Sequence, residues 1–331
     1  MQFPKRLQLA NLPTPITKLE RFPLHGSGAQ IWVKRDELTG TEVSGNKIRK
    51  LEFSLAEALE QGCNTIITCG GLQSNHCRTT AILCSRLGLK VHLILRGGKP
   101  EQPDGNLLLD LLAGAQITYV LEQDWATHED LARKLQADYA ASGNKAFFIP
   151  IGASDEIGLW GYIAACKELK EDFEQLDITP DYIVTATGSG GTQGGLLVGS
   201  KLFDLPGKVI AFNVCDDAAY FEKKIHEDVT LWQRRYKIDV DFQKKDINTI
   251  EGYVGPGYGL ASKEVFSTIA ELARTEGLFL DPVYTGKAFH GMVTEILKGK
   301  EGCMPDAGNV LFIHTGGLFG VFPQQQYFSF A

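Results

Sequence analysis

The sequence predicts an α/β protein built as two three-layer α/β/α units with mostly parallel sheets. Three observations carry that expectation. Short apolar strand patterns alternate with helical patterns along the chain, as βαβ units require. Glycine, 36 of 331 residues, is clustered rather than scattered. The clusters, Gly70-Gly71, Gly188 to Gly195, Gly255 to Gly259 and Gly316-Gly317, mostly follow strand patterns. Apolar content of 44% with 22% charged residues belongs to a globular chain able to bury a large core.

The first set of elements opens with a strand at Ile31 to Lys34. A helix follows from Lys47 to Gln61, with Leu51, Leu55, Ala58 and Leu59 on one face. Thr65 to Cys69 is a buried strand, Ser74-Asn75 opens a helix, and Val91 to Leu95 is the next strand. A helix at Asn106 to Leu112, a strand at Gln116 to Val120, a helix at His128 to Ser142 and a strand at Ala146 to Ile149 complete the set. The second set runs helix Leu159 to Phe173, strand Tyr182 to Ala186, helix Gly195 to Phe203, strand Val209 to Val214 and helix Tyr220 to Trp232. Helices Ser262 to Glu276 and Gly286 to Lys298 precede strand Val310 to Ile313, and Pro323 to Ala331 is expected to be a poorly ordered end. Glycine loops after parallel strands lie at the carboxyl edges of sheets, where open α/β folds bind ligands. Two such edges facing one another make a cleft.

Composition removes several function classes. The net charge is −7 and no Lys/Arg block stands out, so no nucleic-acid partner is expected. No run of about 18 apolar residues predicts a membrane span. Met1 to Lys5 lacks the apolar core of a signal peptide, and the seven cysteines form no C-x-x-C pair. A cytoplasmic protein with reduced thiols is expected. The seven histidines are dispersed, so no metal site is expected.

Chemistry concentrates in a few loops. Lys47 follows a Gly45-Asn46 turn and opens a helix. Burial and the positive end of a helix dipole both disfavour an ammonium, which suits a Schiff-base nucleophile. An ordinary surface lysine at a helix start is the competing reading. Ser189, Gly190, Gly191 and Thr192 lie between a strand and a helix, where backbone N–H groups accept an anion. No lysine followed by Ser or Thr is present, so a monophosphate fits better than a nucleotide, with a packing turn as the alternative. Ser74 and Asn75, at a second strand-to-helix turn, suit a substrate carboxylate, although Ser74 is equally suited to capping the helix. His76 follows them. Tyr258 and Tyr284 each stand beside glycine, placed to stack on a ring or relay a proton, or simply to pack. A turn lysine, a phosphate cup, a carboxylate cup and two tyrosines together amount to a pyridoxal phosphate site.

These segments resemble the tryptophan-synthase-β-like (fold type II) pyridoxal phosphate enzymes. Within them the chain is similar to the group holding 1-aminocyclopropane-1-carboxylate deaminase and D-cysteine desulfhydrase. The most specific pieces are Lys34-Arg35-Asp36-Glu37-Leu38-Thr39-Gly40, Gly45-Asn46-Lys47-Ile48-Arg49-Lys50-Leu51-Glu52, Gln73-Ser74-Asn75-His76 and Asp281-Pro282-Val283-Tyr284-Thr285-Gly286-Lys287-Ala288. The resemblance extends from Leu12-Pro13-Thr14-Pro15 to His314-Thr315-Gly316-Gly317. It implies that Lys47 carries pyridoxal 5'-phosphate as a Schiff base. It implies that Lys50 and the Ser189 to Thr192 loop hold the phosphate, and that Asn75 bonds the phenolic oxygen. Ser74, Asn75 and His76 would take the substrate carboxylate, Tyr284 would lie against the ring, and Tyr258 and Thr285 would lie near the substrate. It further implies a large domain from residues 1–47 plus 164–331, a small mobile domain from 48–163, and a homodimer.

Two positions divide the group. Deaminases of the cyclopropane acid carry a glutamate after the second tyrosine and a leucine before the final Gly-Gly, where this chain has Thr285 and Thr315. A hydroxyl near the ring nitrogen leaves the ring a weaker electron sink than a carboxylate does. Eliminating a good β-leaving group needs less of that sink. The expected reaction is therefore α,β-elimination of D-cysteine to pyruvate, hydrogen sulfide and ammonia. The alternatives are cyclopropane-acid deamination, a lyase for another amino acid such as cysteate, and a catalytically dead binding homologue.

Overall fold

The computed structural model describes residues 2–24 and 26–329. Its strands are β1 (Ile16–Lys18), β2 (Gln30–Lys34), β3 (Thr65–Gly71), β4 (Lys90–Arg96), β5 (Gln116–Val120), β6 (Ala146–Ile149), β7 (Tyr182–Thr187), β8 (Lys208–Asn213), β9 (Thr249–Ile250) and β10 (Asn309–Ile313). Its helices are α1 (Lys47–Glu60), α2 (Asn75–Leu87), α3 (Gly105–Leu112), α4 (His128–Ala141), α5 (Leu159–Leu176), α6 (Gly191–Phe203), α7 (Ala218–Tyr236), α8 (Lys263–Glu276) and α9 (Thr285–Leu297).

Two sheets result. The four-stranded sheet has the order β5-β4-β3-β6 and is parallel throughout. The six-stranded sheet has the order β1-β2-β10-β7-β8-β9, parallel except for β1 at its edge. Because β10 inserts between β2 and β7, early and late parts of the chain build one sheet. The expected α/β/α layering is present, and the extra strands β1 and β9 were too short to read from periodicity.

Side chains alternate along each central strand, so both faces must be apolar. On β10, Leu311 and Ile313 join a core with α5, α6 and α7. Val310 and Phe312 join the opposite core with α8 and α9. In the smaller sheet Ile66, Leu93 and Leu95 pack with α1 and α2, while Ile67, Cys69 and Ile94 face α4. Helix α6 starts at Gly191, four residues earlier than expected. Its glycines are tolerated because α5 lies at backbone distance: a methyl on Gly195 would stand 2.6 Å from Tyr162 Cβ. Packing overrides helix propensity there. The tail also differs from expectation. Phe322–Tyr327 forms a 3₁₀ helix, and Phe266 holds Tyr327 and Phe328 at ring distances of 5.6 and 5.0 Å. Residues 330–331 lie outside the described residues. Among the described residues no helix is long and apolar enough to cross a membrane.

A buried ion network locks α1 in place. Arg49 Nε and Nη2 donate to the two oxygens of Asp36 at 2.9 and 2.7 Å. Nη1 and Nη2 also donate to the two oxygens of Glu168, on α5, at 2.9 and 3.0 Å. Asp36 also accepts from Tyr162 OH at 2.6 Å and from Thr14 Oγ1 at 2.8 Å. Lys34 adds ion pairs to Glu168 at 2.6 Å and Asp172 at 2.5 Å. Gly161 lets α5 press against α1, since a methyl there would stand 2.7 Å from Lys50 N. Burial works against the Glu168 anion, but Arg49 and Lys34 overcome it and hold its carboxyl at about 2.

Replacing Arg49 with Met leaves the buried Asp36 carboxylate without a cation and Glu168 with Lys34 alone. Unfolding free energy in urea is expected to fall by about 3–5 kcal/mol. Glu168 is depressed from an ordinary 4.5 to about 2. Its contribution is therefore fully present above pH 4.5 and is lost as pH falls toward 2. The wild type should lose this stability over that window and Arg49→Met, in which Lys34 alone holds Glu168, should lose less of it; matching acid profiles would contradict the assignment.

Candidate active site

The carboxyl edges of both sheets face one cavity of about 780 Å³. Lys47, the first residue of α1, points into it. The preceding turn is shaped by contacts to the β10 loop and to α6. Gly45 has φ +111°, and a methyl there would stand 2.5 Å from Thr315 O. Asn46 N donates to Thr315 O at 3.1 Å, and Asn46 Nδ2 donates to Thr192 Oγ1 at 2.9 Å. Arg78 holds the Glu42 and Ser44 carbonyls at 2.6 and 2.9 Å. Burial brings the Lys47 ammonium down to about 8, partly opposed by the Cys77 thiol.

The β3–α2 turn forms one wall. Ser74 Oγ accepts from Cys77 N at 3.2 Å, so Ser74 does cap the helix while also lining the cavity. Asn75 Oδ1 is buried with no protein partner. His76 Nε2 lies 2.7 Å from Thr68 Oγ1, whose own proton goes to Ile149 O at 2.7 Å. Nε2 must therefore carry the hydrogen, leaving buried Nδ1 as an unpaired acceptor. Burial, then the fields of Lys47 and Lys50, hold His76 well below the ordinary histidine range, so it is neutral.

The β7–α6 turn forms the anion cup. Gly190 takes φ +83° at the N-cap, and the first-turn N–H groups of α6 lack intrahelical acceptors. Ser154 Oγ lies 2.8 Å from Ser189 Oγ and accepts from Gly191 N at 3.2 Å. Thr187 Oγ1 is buried without a partner. Lys50 sits behind the cup rather than on the cavity wall. Its Nζ donates to Gly152 O at 3.1 Å and Ser154 Oγ at 3.3 Å. Burial and the neighbouring Lys47 pull it well below the lysine range.

The third wall carries the tyrosines. Tyr258 OH and Tyr284 OH lie 2.5 Å apart with their rings edge to face. Burial raises both phenols, Tyr284 well above the ordinary range. A methyl on Gly188 would stand 3.0 Å from Tyr284 Cε1, so this ring lies against the cup. Thr315 lines the cavity, but Thr285 does not. Expected at the substrate, Thr285 instead donates its hydroxyl to Asp281 Oδ1 at 2.7 Å. Asp281 caps α9 by accepting from the N–H groups of Val283, Tyr284 and Thr285, and the Thr285 hydroxyl completes that cap.

Thus Lys47, Ser74, Asn75, His76, Ser189, Gly190, Thr192, Tyr258, Tyr284 and Thr315 share one cavity, with Lys50 and Gly191 immediately behind it. Sequence reasoning missed Gly152, Ser154, Arg96 and Lys224. The Gly152-Ala153-Ser154 loop follows β6, as the other cups follow their strands, but holds a single glycine. Lys224 Nζ pairs with Asp228, one turn along α7, at 2.5 and 2.6 Å and donates to Ser154 O at 3.1 Å, a contact across 70 residues that no local pattern announces. A free amine, an unpaired amide oxygen and an open anion cup fit a phosphorylated aldehyde cofactor. Among the described residues no group of three His, Cys, Asp or Glu stands close enough to hold a metal ion.

Comparison with known proteins agrees with that fit. Residues 7–316 match the family described as pyridoxal-phosphate dependent enzyme. A bifunctional D-cysteine desulfhydrase/1-aminocyclopropane-1-carboxylate deaminase of Arabidopsis thaliana is 41% identical over 95% of this chain and 78% of that protein. A putative 1-aminocyclopropane-1-carboxylate deaminase of Thermotoga maritima is 41% identical over 97% of this chain and 99% of its own length. A D-cysteine desulfhydrase of Klebsiella pneumoniae is 35% identical over 97% and 96%. The crystal structure of an ACC deaminase homologue superposes with a TM-score of 0.88 at 33% identity, covering 98% of this chain and 95% of that one.

Gly152 tests the cavity directly. A methyl there collides with Ser189 Oγ and stands 3.1 Å from Lys47 Nζ, at φ +66°. Gly152→Ala is expected to weaken pyridoxal phosphate binding about tenfold or more. Titration of the apoprotein, read at the cofactor's visible band, measures it; unchanged affinity would contradict the cavity assignment.

Proposed function

The chain belongs to the pyridoxal-phosphate dependent enzyme family, and on that premise we propose that it is a carbon–sulfur lyase converting D-cysteine and water to pyruvate, hydrogen sulfide and ammonia. The observation that carries this reading is the absence of a carboxylate at either discriminating position. Thr315, which lines the cavity, carries no carboxylate, and Asp281, the carboxylate beside Tyr284, is consumed in capping α9. Relatives named for D-cysteine desulfhydration support the same substrate.

Pyridoxal phosphate, when bound, supplies the electron sink for a Cα carbanion. Lys47 anchors it, the Ser189 to Thr192 cup and Lys50 neutralise its phosphate, Asn75 takes its phenolic oxygen and Tyr284 lies along the ring. The α2 N-terminus with Ser74, Asn75 and His76 receives the substrate carboxylate, because orphan N–H groups and the dipole favour an anion there. Lys47, with its basicity lowered to about 8, is suited to taking the Cα proton near neutrality. The Tyr258–Tyr284 pair keeps its protons well past neutrality and is suited to protonating the departing hydrosulfide.

The larger unit is assigned to residues 1–47 with 164–331 and the small, mobile one to 48–163, supported by two sheets that share no strand. A homodimer rests on the family resemblance. The seven unpaired cysteines support a reducing compartment such as the cytoplasm.

Purified holoenzyme given D-cysteine is expected to release sulfide and pyruvate in equal amounts, and Lys47→Ala to release neither above background. Production of 2-oxobutyrate from the cyclopropane acid without sulfide from D-cysteine would replace this reading with a deaminase.

A further inference from the structure

Tyr258 is gripped from both sides of the cleft. Within its own unit, Lys287 Nζ is buried and donates to Gly257 O at 2.8 Å, fixing the backbone one residue before the tyrosine. From the opposite sheet, Arg96 sets its guanidinium 5.1 Å from the Tyr258 ring centroid. Arg96 ends β4, in register with Gly71 at the end of β3. Gly71 itself packs on the tyrosine, where a methyl would stand 3.6 Å from Tyr258 Cε1. The same guanidinium lies 5.5 Å from the Trp125 ring, and His128 stacks on Trp125 at 4.4 Å with 4° between planes. The carboxylate partner of Arg96, Glu122, is 3.5 Å away and 77% exposed, too screened to dictate where the guanidinium sits. Aromatic faces define its position instead, a role for which a planar cation is suited.

We propose that Arg96 is a positioning residue for the elimination: stacked on Tyr258 across the cleft, it seats the phenol against Tyr284. The Tyr258 OH is then in place only while the two sheets are together, which ties the proton donor to closure of the site. Trp125 with His128 backs the guanidinium from the smaller unit, and Lys287 keeps the Gly257–Tyr258 backbone from yielding. This inference rests on the lyase reading for its readout.

A double-mutant cycle on the holoenzyme tests it, using Arg96→Met, Tyr258→Phe and the pair, with Arg96→Lys as the conservative variant. Arg96→Met is expected to lower kcat/KM about tenfold, mainly in kcat, with the cofactor band retained. In the Tyr258→Phe background the same change should cost less than about twofold, because the group being seated is already gone. Arg96→Lys, which keeps the charge but not the planar face, should recover only part of the loss. An equal loss in both backgrounds would overturn the proposal and make Arg96 a direct substrate contact. A loss confined to KM, or none, would overturn it as well. Should wild type release no sulfide from D-cysteine, the substrate reading alone fails. The cycle is then run on the cyclopropane acid or cysteate, whichever is turned over. If neither is, the crystal structures of wild type and Arg96→Met decide: a Tyr258 hydroxyl that stays against Tyr284 in the variant overturns the proposal.

Discussion

The bidentate grip of Arg49 on Asp36, shared with Glu168, is the interaction on which the rest of the molecule depends. It lies two residues beyond Lys47, on the first turn of α1. Burying three such charges is expensive, and only complete pairing offsets it. Here the pairing is complete. Asp36 receives Arg49, Tyr162 and Thr14, while Glu168 receives Arg49 and Lys34. The partners come from the N-terminal segment, the β2 loop, α1 and α5, so one network ties the start of the catalytic helix to the six-stranded sheet. A helix start fixed in this way lets a strained Gly45 turn deliver one amine to one place.

The cavity is organised around unpaired groups. Orphan N–H groups at the starts of α2 and α6, the lone Asn75 oxygen and the amine of Lys47 are left open in a region where most polar atoms are satisfied. Each would be costly in a site meant to stay empty. Their signs also agree: donors at the two cups, where carboxylate and phosphate belong, and an amine whose charge is weakened between them. Lys47, Lys50 and Lys224 crowd the cup together. Burial weakens the first two as cations, and the field of Lys47 adds to it at Lys50, whereas Lys224 keeps Asp228 as a partner.

Much of this was legible in the sequence because local rules and tertiary demands coincide. The alternation of strands and helices, the glycine clusters at strand ends and the Gly45-Asn46-Lys47 turn each carry their own signature. The Lys34-Arg35-Asp36 segment was visible only as a family mark, since its reason is a three-element charge network that no local pattern reveals. Thr285 misled for a related cause. Its neighbour Tyr284 faces the cavity, but the cap made by Asp281 turns the threonine inward. Ser154, Arg96 and Lys224 went unread because the contacts that bring them to the site, Ser154 with Ser189 and Lys224 and Arg96 with Tyr258, each span 35 or more residues. The early start of α6 escaped periodicity because its glycines answer to α5 packing, not to helix propensity.

The central claim is that this fold delivers one amine, that of Lys47, to pyridoxal phosphate. Reduction of the holoenzyme with borohydride, followed by proteolysis and peptide mass mapping, tests it most directly. The account predicts a single stable pyridoxyl-phosphate adduct, on Lys47. An adduct on Lys50 or Lys224, or none at all, would contradict it.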